Sequence, residues 1–205
     1  MPPKPLILAF DTSAAHCAAA LLSGDKIIVS RFEPMSRGQA ERLMPLLEEV
    51  LGAAGLSWRD LDAIGVGIGP GNFTGIRISV AAARGLALSL GVPAIGVSSL
   101  EAQAADAKRP VWSLIDARRD HVYAQYLRAG GDDEAPSLMS AREAAALTGA
   151  RVGPDALADP APAIARIAAA RLARAGKAPI PRPAPQYIRA ADAAPPRDPA
   201  PVILP

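Results

Sequence analysis

The 205-residue chain carries 22 basic and 20 acidic side chains, a formal net charge of +2, and half of its residues are hydrophobic. That length buries a real core and allows one domain or two small ones, while the weak positive balance argues against tight, autonomous nucleic-acid binding. The single cysteine, Cys17, excludes an intramolecular disulfide and points to a reducing compartment. No signal-peptide core follows Met1-Pro2-Pro3-Lys4-Pro5, and no apolar run reads as long enough to span a membrane. The expectation is a soluble, cytoplasmic protein without membrane contact.

Leu6–Phe10 is an apolar, β-rich run closed by Asp11-Thr12-Ser13. Cys17–Leu22 and Ile27–Phe32 read as the next two strands, joined by a hairpin turn at Ser23-Gly24-Asp25. Cys17 itself, inside an apolar run, reads as a small buried hydrophobe. The spacing of Leu43, Met44, Leu46, Leu47, Val50 and Leu51 predicts an amphipathic helix over Gln39–Leu51, with Glu41, Arg42, Glu48 and Glu49 on its other side. Pro45 lies inside that pattern, which implies a frayed first turn or a kink.

The stretch that organises the chain comes next. Leu61–Gly69 reads as a short strand, Gly67-Ile68-Gly69-Pro70-Gly71-Asn72-Phe73-Thr74-Gly75-Ile76-Arg77 as a glycine-rich turn, and Ile76–Leu90 as a helix closed by Gly91 and Pro93. Asn72 or Thr74 is placed to cap the helix start. A glycine-rich turn opening a helix is a common anion cradle, but this run is neither the dinucleotide fingerprint nor a P-loop. On its residues alone, Gly69, Gly71, Thr74 and Gly75 read as a tight structural connection. Ala94–Val97 completes a strand–strand–strand–helix–strand–helix–strand order, that of a ribonuclease-H-like or actin-like half-domain.

A second, reduced half begins near Ser99-Leu100-Glu101, a capped helix start. Val111–Ile115 and Val122–Leu127 are strands joined by the charged tip Asp116-Ala117-Arg118-Arg119-Asp120-His121. Gly130–Pro136 is a turn-rich loop, Ser140-Ala141-Arg142-Glu143 is a capping box, and Ala163–Ala175 is an alanine–arginine helix. From Lys177 the prolines exclude regular helix or central strand. The expected division is residues 1–98, 99–176 and a proline-rich tail, 177–205.

Four segments in this order resemble the bacterial tRNA threonylcarbamoyladenosine biosynthesis protein TsaB (YeaZ) family. They are Phe10-Asp11-Thr12-Ser13, the Glu41-Arg42-Leu43-Met44-Pro45 helix, the glycine-rich turn through Arg77, and Asp116 through Tyr123. Pro185-Gln186-Tyr187-Ile188-Arg189 with Ala191-Asp192-Ala193 resembles the ending of that family. The resemblance implies an actin-like (ribonuclease-H-like, ASKHA) α/β fold of two half-domains. It implies a non-catalytic scaffold for placing a threonylcarbamoyl group on adenosine 37 of tRNAs that read codons beginning with A. A TsaD-like transferase paralogue and a TsaE-like small ATPase are the implied partners, with a homodimer when the chain is alone and tRNA reached through the complex. ATP and a metal ion then belong to the partner proteins, and this chain carries no catalytic residue, metal or cofactor. The family's helical-bundle interface maps onto Leu43, Met44, Leu47 and Val50 of the first helix, and onto Arg77, Ala81, Gly85 and Ser89 of the second. Gln39-Ala40 departs from the family's usual His-Ser.

The residues themselves fit the non-catalytic side. His16 and His121 form no close-spaced pair of the kind a shared ion needs. Asp11, Thr12 and Ser13 occupy the place of a kinase phosphate pocket but lack its glycine, and Asp11 reads first as a turn residue bonding its own backbone. Two alternatives stand beside the scaffold: an actin-like ATPase or small-molecule kinase using Asp11 and the glycine-rich turn, and a metallopeptidase.

Overall fold

The protein is described here as a computed structural model, covering residues 4–130, 132–153, 159–176 and 178–189. Five strands and two helices come first: β1 (Leu6–Asp11), β2 (His16–Ser23), β3 (Lys26–Pro34), α1 (Gln39–Ala53), β4 (Ala63–Gly67), α2 (Phe73–Leu90) and β5 (Ala94–Val97). The strands form one sheet in the order β3-β2-β1-β4-β5, antiparallel among β1 to β3 and parallel from β1 through β5. This is the order of an actin-like half-domain, and the fold is the α/β class that the chain order predicts.

β1 is buried on both faces, which explains why its sequence is continuously apolar rather than alternating. Leu8 and Phe10 face α1 and α2, where Leu43, Leu46, Leu47, Val50, Ile76 and Val80 complete one core. Ile7 and Ala9 face the opposite way, into a second core with Ile95, Val97, Ile164, Ala165 and Ala168. The last three belong to α5 (Ala161–Ala175), which follows the second-half elements in the chain yet packs on the first sheet. Small residues permit that approach: a Cβ on Gly65 would stand 3.1 Å from the methyls of both Ala9 and Ala168. The stretch 99–176 therefore lends its last helix to the first half.

Between β5 and α5 lie α3 (Ser99–Gln103), β6 (Val111–Asp116), β7 (His121–Leu127), β8 (Ser137–Ser140), α4 (Ala141–Ala145) and β9 (Arg151–Val152). Their sheet runs β8-β7-β6-β9. The sequence does not announce β8 or β9, four and two residues long, because neither shows a period.

Several boundaries shift for local reasons. β4 begins at Ala63 because Trp58–Asp60 forms a 3₁₀ turn closed by a Ser57–Asp60 capping box. α2 begins at Phe73, since Asn72 Oδ1 accepts the Gly75 amide at 2.9 Å and so takes the cap from Thr74. Ser98, rather than Ser99, caps α3. α1 continues through Pro45. At its surface Arg42 forks between Glu33 and Glu49, holding both carboxyls below their ordinary range. Because those two groups are depressed in the folded chain, their contribution to stability is present above the ordinary carboxylate range and fades as pH falls through it.

α2, with 18 residues, is long and apolar enough by composition to cross a membrane, contrary to the sequence expectation. In the fold it is an amphipathic core helix. Ile76, Val80 and Ala83 are buried against the sheet, while Arg77 and Arg84 face outward.

Candidate functional site

The two halves enclose a cleft of about 890 Å³, with the end of β1 at its floor. Asp11 lies there, 1% exposed. Its Oδ1 accepts from the Ser13 amide and hydroxyl, each at 2.9 Å, and stands 2.7 Å from His16 Nε2. Asp11 thus bonds its own turn, as the sequence suggests. The sequence alone does not pair His16 with Asp11; the His16 ring also lies 5.3 Å from that of Phe32. The available signal is topological. Asp11 pairs with Ala18 across the β1–β2 hairpin, which brings the start of β2 back beside the β1 end.

The glycine-rich turn is occupied by the chain itself. A Cβ on Gly75 would stand 1.9 Å from the Thr12 carbonyl oxygen, one on Gly71 2.3 Å from that of Ser13, and one on Gly67 1.7 Å from Asp11 Oδ2. Each glycine therefore makes room for one residue of the Asp11-Thr12-Ser13 turn. Thr12 Oγ1 donates to the Gly75 carbonyl at 2.7 Å, and the Asn72 amide donates to the Ser13 carbonyl at 2.6 Å. Gly69, at φ +89°, needs its missing side chain because a Cβ would meet Ile76 at 2.5 Å. The Asn72 and Gly75 amides are spent on internal bonds, and the space beside the glycines is filled by the neighbouring turn, so the geometry is that of a packed connection. Thr74 is exposed and takes no part in it.

The other predicted residues divide by burial. Leu43, Leu47 and Val50 are at most 1% exposed in the chain's own core, so they do not anchor a partner. The apolar spacing that singles them out is the spacing of the face turned to the sheet. Met44 is 38% exposed, and Arg77, Ala81, Gly85 and Ser89 all lie on the open side of α2. Leu88, which the sequence reading passes over, joins them at 81% exposure. The exposed members of the predicted set thus lie on the outer side of α2, with Met44 exposed on α1.

Across the cleft, the tip between β6 and β7 holds Arg118, Arg119 and Asp120 at φ of 61°, 52° and 57°. Three consecutive left-handed non-glycine residues are costly. Glycine at Arg118 should raise stability by about 1 kcal/mol, read as a higher denaturation midpoint. An unchanged midpoint would mean that the tip stores no strain. Among the described residues, no three His, Cys, Asp or Glu side chains gather as a metal site. Cys17 is buried, and burial foremost pushes its thiol up to about 11, so it stays neutral and unreactive near pH 7.

Comparison with known proteins agrees with this architecture. Residues 33–193 match the family model described as TsaD, tRNA N6-adenosine threonylcarbamoyltransferase. Escherichia coli (strain K12) tRNA threonylcarbamoyladenosine biosynthesis protein TsaB is 41% identical over 128 residues, covering 60% of this chain and 55% of that one. Its Bacillus subtilis (strain 168) namesake is 38% identical over 120 residues, covering 57% and 52%. The matched region spans about half the length of these curated relatives. YeaZ from Pseudomonas aeruginosa superposes with a TM-score of 0.68 at 29% identity, over 84% of this chain and 94% of that one. With most of its length inside the family model and its relatives named TsaB and YeaZ, the chain belongs to the TsaD family, as a member of the TsaB (YeaZ) group.

Proposed function

We propose that this chain is a non-catalytic subunit of the machinery that makes threonylcarbamoyladenosine in tRNA, docking a TsaD-like transferase paralogue through the outer face of α2. Its relatives are named for that biosynthesis. The observation that carries the reading is the uncovered face itself, where Leu88 stands exposed beside Gly85, Ala81 and Ser89. Exposed large apolar side chains flanked by small residues suit a partner helix that must come close. Gly85 sharpens the point. Glycine inside a helix costs about 1 kcal/mol relative to alanine, and among the described residues nothing beyond its own helix backbone and chain neighbours lies within 4 Å of where its Cβ would be. No contact among the described residues requires it, whereas a closely approaching partner would.

The reading extends to a TsaE-like ATPase in the same assembly, to a homodimer in the partner's absence, and to tRNA reached through the complex. ATP and the metal ion are assigned to the partners. The second reading, an ATPase or kinase working from Asp11, requires phosphate at the glycine-rich turn, where the Asn72 amide already bonds the Ser13 carbonyl and the Gly75 amide the Asn72 side chain.

Two variants test the interface. Gly85→Ala should stabilise the isolated chain by about 0.5–1 kcal/mol while weakening its complex with the paralogue. Ala81→Glu should leave the melting temperature unchanged and abolish co-elution. Unaltered affinity in both variants would overturn the interface.

A further inference from the structure

The segment 178–189 contains no helix or strand, yet side chains and backbone fix it from one side of the molecule to the other. Ile180 packs into the core beneath α5. Pro183 is buried over β5, 3.2 Å from where a Cβ on Gly96 would stand. The Gln186 amide donates to the Ile68 carbonyl at 2.8 Å, just past the end of β4. Tyr187 Oη accepts from Arg77 Nε at 2.8 Å, and its ring lies 5.1 Å from Phe73. Ile188 then enters the other half of the molecule, packing with Leu100, Ala117 and Tyr123. Gln186 through Arg189 form part of the cleft wall.

Arg77 is the joint between this segment and the outer face of α2. Its guanidinium sits 3.8 Å over the Phe73 ring centroid and 5.8 Å from that of Tyr187. An arginine stacked and bonded in this way has lost its rotamer freedom before any partner arrives. Phe73 and Tyr187 are 43% and 46% exposed, so the stack is open to solvent and continues the face formed by Ala81, Gly85 and Leu88.

We propose that segment 178–189 is a latch that ties the two halves across the cleft and completes the partner-binding face. Gln186 and Ile188 close the cleft, and Tyr187 holds Arg77 ready for a carboxylate on the partner. The second part rests on the proposed docking of the transferase paralogue; the latch itself does not. Because coupling is reciprocal, a docked partner holds the latch shut, and a released latch weakens the partner.

The test uses the full chain and three variants. Ile188→Ser loosens the anchor in the second half without touching α2, Tyr187→Ala removes the ring, and Tyr187→Phe removes only the acceptor. Amide exchange at Gln186 should quicken about tenfold in Ile188→Ser and Tyr187→Ala, with exchange in β1 and β4 unchanged. Affinity for the paralogue should fall about tenfold in both and less in Tyr187→Phe. Unchanged exchange at Gln186 would overturn the latch. Quickened exchange with undiminished affinity would overturn the coupling to the interface. If the unmodified chain fails to bind the paralogue, the proposed docking falls, and the exchange data alone decide the latch.

Discussion

Replacing Leu47 with aspartate leaves no folded chain. Leu47 is fully buried between α1 and the sheet, in a core with Phe10, Leu43 and Ile64. A carboxyl there has no partner and no water; even neutralised, its unpaired burial together with the lost leucine packing costs an amount comparable to the whole stability of an ordinary domain, about 5–15 kcal/mol. Leu47→Ala is the milder form and should cost about 2–5 kcal/mol. Circular dichroism and thermal melts read both. The comparison with Met44→Asp separates core from interface on one helix: that exposed site should keep the fold and lose the partner. A folded Leu47→Asp chain that merely fails to dimerise would show that the α1 face has been assigned the wrong way round.

The second large effect is expected at Gly75. Alanine normally gains about 1 kcal/mol over glycine within a helix. At Gly75 the added methyl would stand 1.9 Å from the Thr12 carbonyl oxygen and 3.0 Å from its carbon, both backbone atoms without a rotamer to move. The clash must push the Asp11–Ser13 turn off the start of α2, with loss of the Thr12 hydroxyl bond to the Gly75 carbonyl. Overpacking of this kind costs about 1–3 kcal/mol or more. Denaturant unfolding should therefore show Gly75→Ala destabilised and Gly85→Ala stabilised, opposite signs from the same substitution in the same helix. A neutral Gly75→Ala would contradict the packing of the glycine-rich turn against the β1 end.

Much of the first half is legible because its periods are clean. The continuous apolar β1, the Ser23-Gly24-Asp25 hairpin and the α2 stripe ending at Gly91 all stand as read. Gly91 takes the left-handed conformation, φ 71°, expected of a helix-ending glycine. In the second half β6 and β7 stand close to where they are read, but β8 and β9 are too short to show a period and α5 is alanine-rich. Nothing in Ala161–Ala175 says which sheet its small residues will meet.

The site divides on the same physical line. The connective role of Gly69, Gly71 and Gly75 is readable from local chemistry, since such a turn demands unusual backbone angles and close approach. The Asp11–His16 pair is not readable, because it depends on how one hairpin registers. The interface residues show what periodicity leaves out. A helical stripe picks out Leu43, Leu47 and Val50 as a set but cannot say whether sheet or partner covers them, and the sheet does. Leu88 escapes notice because a single exposed leucine carries no pattern. Tyr187 joins the picture only through the path of the segment that carries it.

The most direct test of the central claim is nucleoside mass spectrometry of tRNA from a reconstituted reaction. The mixture contains a threonylcarbamoyl-AMP synthase, the TsaD-like transferase and the TsaE-like ATPase, with and without this chain. Threonylcarbamoyladenosine should form only when the chain is present, with none from the chain alone and none with the Ala81→Glu variant. Equal product with and without the chain would contradict it.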